Sequence, residues 1–136
     1  MTRTRAAVAL AVAALVLGAA ACSDSNGPAV PVTAVAALTT PRTDDGAVLV
    51  TITGPGLADV QPANSFYRLY WRLASDIELR VVVVGDVAQG PLFTVSLSSG
   101  RVSQYTATVT DAASRADAAR EALTGYAVTL SAAAQQ

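Results

Sequence analysis

Apolar and polar residues alternate with a period of two over most of the stretch from residue 47 to residue 130, the signature of half-buried strands. Residues 47–53 set Val48, Val50 and Ile52 on one face, and Gly54-Pro55-Gly56 breaks the run. Residues 67–73 alternate Tyr67, Leu69, Trp71 and Leu73 against Arg68, Tyr70 and Arg72. Residues 77–84 follow after Ala74-Ser75-Asp76, and Gly85-Asp86 ends them. Further strands are predicted over 92–97 (Phe93, Val95 and Leu97 inward), over 105–110 (Tyr105, Ala107 and Val109 inward) and over 126–130 (Tyr126, Val128 and Leu130 inward). A weaker one lies within 32–38. The pattern therefore predicts an all-β fold, a small antiparallel β-sandwich of six to seven strands.

One segment reads differently. Ser114-Arg115-Ala116-Asp117 has capping-box spacing, Ala112, Ala116, Ala119 and Leu123 recur at helical intervals, and Gly125 sits where a helix-ending glycine belongs. This predicts one short helix before the last strand, capped by Ser114, ending near Thr124 and docked through Leu123. So short a helix cannot hold alone in water.

The strands over 67–73 and 77–84 should form a hairpin. A three-residue loop of Ala74, Ser75 and Asp76 pairs Leu73 with Ile77, Trp71 with Leu79, Leu69 with Val81 and Tyr67 with Val83. The same register sets Arg72 opposite Glu78 and Tyr70 opposite Arg80 on the outer face. Trp71 is then the large inward anchor of the core, and Arg68, Tyr70 and Arg72 form an outward aromatic and arginine face, the candidate binding face. Phe66, Tyr67, Tyr70 and Trp71 make this the densest aromatic cluster in the chain.

Composition narrows the chemistry more than the fold. The chain has 136 residues, enough for one domain. All nine basic residues are arginines, against ten acids, with no histidine and a formal net charge of −1. A nucleic-acid binder would need a basic stripe, so none is expected as a partner. Without histidine or lysine there is no Ser-His-Asp or Cys-His site, no Ser-Lys site and no Schiff base. No glycine-rich phosphate loop or G-x-S-x-G elbow occurs. Asp44, Asp45, Asp59, Asp76, Glu78 and Asp86 could in principle pair as glycosidase carboxylates, yet all fall in predicted turns or at strand ends, where solubility and turn chemistry explain them. Thr43-Asp44-Asp45-Gly46 is a sparse oxygen set for calcium. The expectation is a non-enzymatic chain with no catalytic residues, no cofactor and no resident metal. The alternative is a ligand-binding module for carbohydrate or calcium.

The N-terminus reads as an address. Arg3 and Arg5 precede an uncharged run of 16 residues, Ala6 to Ala21, shorter than the roughly 20 a membrane-spanning helix needs. The run ends in Leu17-Gly18-Ala19-Ala20-Ala21-Cys22, with the sole cysteine directly after three alanines. This resembles the lipobox of bacterial lipoproteins, although Ala19 stands where that family prefers leucine. The resemblance implies cleavage before Cys22 and acylation of its thiol and new amine, palmitate among the acyl chains. Those chains would place the domain at the cell envelope on a lipid bilayer. The competing readings are an ordinary secretory signal with an incidental cysteine, and a retained anchor. Ser23 after the cysteine leans, by the same resemblance, toward the outer membrane over the inner.

The domain plan is then a cleaved signal over 1–21, a flexible tether over 22–33, the sandwich over 34–131 and a disordered tail over 132–136. Tyr105-Thr106-Ala107-Thr108-Val109 resembles the sixth strand of immunoglobulin-like domains, with Ala107 in the place of the cysteine. The helix before the last strand departs from that family's hairpin and leaves a cohesin-like or other sandwich topology open. The expectation is an interaction or structural module of the cell envelope, with an envelope protein or a glycan as the partner of the outward Arg68, Tyr70 and Arg72 face.

Overall fold

The computed structural model describes residues 30–134. The segment 1–21 read as a signal, Cys22, the part of the expected tether up to residue 29 and residues 135–136 of the expected tail lie outside the described residues. No helix among the described residues is long and apolar enough to cross a membrane. Eight strands are formed: β1 (Val32–Thr39), β2 (Asp45–Thr53), β3 (Leu57–Pro62), β4 (Arg68–Ser75), β5 (Glu78–Val87), β6 (Gly90–Leu97), β7 (Thr106–Ser114) and β8 (Ala127–Ala132). They build two four-stranded sheets, β3-β6-β1-β8 and β4-β5-β2-β7, with every pairing antiparallel. The fold is an all-β sandwich.

The strand order has a simple logic. β4 neighbours β5, β3 neighbours β6, β2 neighbours β7 and β1 neighbours β8. The chain is one long hairpin, bent at the β4–β5 turn and rolled across two sheets in the manner of double-sheet jelly rolls. β1 lies beside β6 rather than β2, so the order differs from the ABED and CFG grouping of immunoglobulin domains.

The core follows the alternation. Val48, Val50 and Ile52 of β2 and Leu79, Val81 and Val83 of β5 are fully buried, facing Ala34, Ala36, Val95 and Leu97 of the other sheet. Small residues on β1 leave room for large ones on β6. Ala36 pairs with Phe93, and a bulge beside it turns both Leu92 and Phe93 inward. β1 begins at Val32, inside the segment read as tether, and β8 runs one residue into the segment read as tail.

Four expectations need correction. The first is β3, which the alternation did not announce. Its buried residues are Leu57 and Val60, three apart, because Asp59 adopts a left-handed φ of 48° and breaks the period of two.

The second is the helix. Residues 115–124 are turn and extended chain, and the one helical turn among the described residues is a 3-10 turn elsewhere, at Val102–Gln104. Ser114 does reach forward, but its hydroxyl accepts from the N–H groups of Ala116 and Ala118 inside a three-residue hairpin loop. Asp117 donates its N–H to the Ser114 carbonyl at 3.0 Å and supplies the loop's left-handed residue, at φ 59°. Ala119 then bridges back to Ala113. Gly125, at φ 85°, serves a turn closed by the Tyr126 N–H on the Leu123 carbonyl.

The third is the β4–β5 register, which is shifted by two residues. Leu73 pairs with Leu79, Trp71 with Val81, Leu69 with Val83 and Tyr70 with Val82. The turn lies one residue later than expected, Ser75 pairs with Glu78, and a bulge lies between Leu73 and Ser75. A shift of two keeps every side chain on its own face, so Arg72 stays outward but meets Arg80, not Glu78. Arg80 bonds Glu78 along its own strand, at 2.7 Å.

The fourth concerns Trp71. It shares the inner face with Val81, yet remains 44% exposed, with Leu73 at 50%. β4 is an edge strand, and these two residues do not join the side chains packed on the core. Trp71 is therefore not the core anchor. Trp71→Ala should cost about 1 kcal/mol, well short of the ~3–5 kcal/mol of a buried aromatic. A urea midpoint lowered by the larger amount would contradict this placement.

Candidate functional site

The outer face of the β4-β5-β2-β7 sheet carries the predicted binding residues. Cross-strand pairing aligns three rows on it. Arg68, Val84, Ala47 and Ala113 form the first, and Tyr70, Val82, Leu49 and Asp111 the second. Arg72, Arg80, Thr51 and Thr108 form the third. Arg68, Tyr70 and Arg72 thus share one exposed face, as the alternation predicted.

Two features were not legible beforehand. The face has an apolar floor of Leu49 and Val82, only partly exposed. A shallow hollow of about 320 Å³ lies over it, lined by Leu49, Tyr70, Trp71, Arg72, Arg80 and Val82. A second hollow of about 240 Å³ adjoins through the shared Leu49 and Val82 and extends to Asp111, Ala113 and Ala119. The other feature is the side-by-side Arg72 and Arg80. Like charges directly opposite on a sheet are unfavourable, and Glu78 relieves only Arg80. Among the described residues Arg72 has no ion-pair partner. An apolar trough flanked by a tyrosine and a planar donor of five N–H groups suits a chain or ring that brings carboxylate, amide or hydroxyl oxygens.

The acidic candidates have a different role. Asp45, read as a turn residue, is completely buried. Both ladders of β2 slip between Asp45 and Ala47, and this bulge reverses the alternation so that Asp45 turns inward. One oxygen of its carboxylate accepts the Thr40 hydroxyl at 2.8 Å. The other accepts the Tyr126 hydroxyl at 2.8 Å and the Arg120 guanidinium at 2.8 and 3.1 Å. Arg120 also bonds Asp44, at 2.7 Å. Burial pushes the Asp45 carboxyl up, but the bonds from Arg120, Tyr126 and Thr40 together outweigh it and hold the carboxyl below its ordinary range. The same carboxylates raise the Arg120 guanidinium.

This cluster ties the β1–β2 loop to the start of β2 and to the segment between β7 and β8. It engages both carboxylates of the Thr43-Asp44-Asp45-Gly46 turn with the Arg120 guanidinium. Among the described residues no group of three or more His, Cys, Asp or Glu could hold a metal ion, and no buried side-chain oxygen or nitrogen lacks a partner. Arg120 and Tyr126 were hidden from sequence reasoning because one was placed on a helix and the other in a strand.

No protein-family model matches the chain, and no curated protein or solved structure is significantly similar to it.

Proposed function

We propose that the protein is a non-enzymatic interaction module of the cell envelope, exported and held to a membrane by acylated Cys22. Its working surface is the outer face of the β4-β5-β2-β7 sheet, with Arg68, Tyr70 and Arg72 at the rim. The observation that carries the second statement is the apolar Leu49–Val82 floor beside the arginine pair Arg72 and Arg80. The first rests on the apolar run that ends in Ala19-Ala20-Ala21-Cys22. Acyl chains contribute ~0.8 kcal/mol per buried methylene, so two or more hold a domain on a bilayer with no spanning helix. The partner is an envelope protein. A second reading, a glycan, is favoured by Tyr70, 60% exposed beside Arg72 in the same hollow.

One set of measurements tests both statements. The intact mass of the membrane-extracted protein should correspond to a chain starting at Cys22 and carrying acyl groups, and Cys22→Ser should release the protein to the soluble fraction. Membrane fractionation of that variant like the wild type would end the anchoring proposal. Immobilised wild-type protein should retain an envelope component that the Leu49→Asp, Arg72→Glu variant does not, with circular dichroism showing both equally folded. Equal retention would remove the face from consideration, and a glycan array separates the two partner classes.

A further inference from the structure

The two sheets have four edges, and they are not equally guarded. β3 carries the left-handed Asp59, a slipped register against β6 and Pro62 at its end. The second half of β7 is covered by the returning chain, with Ala119 bridged to Ala113 and the Arg120 N–H donated to the Ala112 carbonyl at 2.8 Å. β8 is six residues long and runs beside β7 where the two sheets close. β4 likewise approaches β3 where the sheets close on the other side, but from Arg68 to Leu73 it carries no bulge, no left-handed residue and no proline. It keeps unbroken register with β5 there, and no strand among the described residues pairs with its other side. Its inner face leaves Trp71 and Leu73 about half exposed, and its outer face leaves Tyr70 more so. A straight edge with uncovered apolar side chains is a template for another strand.

We propose that the strand it takes is β4 of a second copy, antiparallel about a two-fold axis through Trp71, so that two four-stranded sheets become one of eight. The register follows from charge. A two-fold axis perpendicular to the sheet sets opposite each other only residues of the same face. Centring it on Tyr70 places Arg68 opposite the second copy's Arg72, twice. Centring it on Arg72 places that residue opposite itself. Centring it on Trp71 places Trp71 against Trp71, Leu69 against Leu73 and Tyr70 against Arg72, with Arg68 against Ala74. Each inner pair is then apolar, and each Tyr70–Arg72 pair sets a cation beside an aromatic ring. The arginines at 68 and 72 thus disfavour the neighbouring registers and permit this one. The two outer faces become a single continuous surface, with twice the floor that each copy presents alone.

The test uses the full chain carrying Cys22→Ser, which removes both the anchor and the competing thiol. Sedimentation equilibrium should show a reversible dimer. Tyr70→Arg sets two guanidiniums opposite each other at an exposed position, and should raise the dissociation constant at least tenfold without altering the thermal unfolding of the monomer. For the register, protein with Leu69→Cys and protein with Leu73→Cys should form a mixed disulfide when combined. Each alone should not, since two copies of either residue lie roughly 13 Å apart along the strands. A monomer at every concentration overturns the proposal and leaves the edge to a strand of a different chain. Equal association of the wild type and the Tyr70→Arg variant, or self-linking as fast as mixed linking, overturns the register.

Discussion

Asp45→Ala should unfold the domain or bring it close to unfolding. The substitution removes the acceptor for the Thr40 hydroxyl, the Tyr126 hydroxyl and two guanidinium N–H groups at once. Breaking a buried ion pair by deleting one partner costs about 3–5 kcal/mol, because the other partner keeps its desolvation and loses its compensation. A domain of this size has only about 5–15 kcal/mol in total. The urea midpoint should therefore fall by a large fraction of its wild-type value. A shift of less than about 1 kcal/mol, the size of an exposed ion pair, would mean that the cluster is solvated and does not tie the loops together.

The same carboxylate gives the protein a pH dependence of known sign. The Asp45 pKa is lowered in the folded state. Between its folded value and the unfolded value of about 3.9 the unfolded chain binds the extra proton, so stability rises with pH across that interval. The contribution is fully present above roughly pH 5 and is lost as the pH falls through the folded value. Asp45→Asn should flatten this part of the stability profile in denaturant titrations between pH 5 and pH 2, and leave little difference in slope above it.

The architecture was legible in the alternation because a period of two needs no knowledge of partners. Val48, Val50 and Ile52 point inward in any sandwich that contains them. What the alternation cannot supply is anything that changes parity or counts residues in a turn. A bulge at Gly46 reversed the parity of Asp45 and buried a residue that belongs, by its neighbours, in a loop. A left-handed Asp59 did the same for Val60 and concealed β3. The β4–β5 hairpin shows the other limit. Shifts of two leave each face intact, so burial could decide that Arg72 is outward but not whether it meets Glu78 or Arg80. The bulge and the turn decided that. In the segment after Ser114, the hydroxyl and carboxylate spacing was read for a helix cap when the same residues also suit a hairpin loop. Arg120, drawn to Asp44 and Asp45, and the Ala113–Ala119 bridge favour the loop.

Gly54→Ala should be nearly as damaging as the loss of Asp45, for reasons of shape rather than charge. Gly54 follows β2 at a φ of 148°, a backbone region that side chains rarely enter, and its N–H is donated to the Ile77 carbonyl at 2.9 Å. A methyl group there would lie on the ring carbons of Tyr105. That ring cannot swing aside freely. Its hydroxyl donates to the Pro55 carbonyl at 2.6 Å and accepts the Ser99 N–H at 3.1 Å, holding the corner where β2 turns into β3 against the loop that follows β6. Forced overpacking costs about 1–3 kcal/mol, and a non-glycine residue held at positive φ adds about 1–3 kcal/mol more. The steric part can be isolated. In a Tyr105→Ala background the added methyl meets no ring, so Gly54→Ala should cost less there than in the wild type by most of the overpacking share. Equal costs in the two backgrounds would show that the backbone conformation alone requires glycine. A wild-type cost under about 0.5 kcal/mol, the range of an ordinary surface change, would show that the corner yields and that Tyr105 does not hold it.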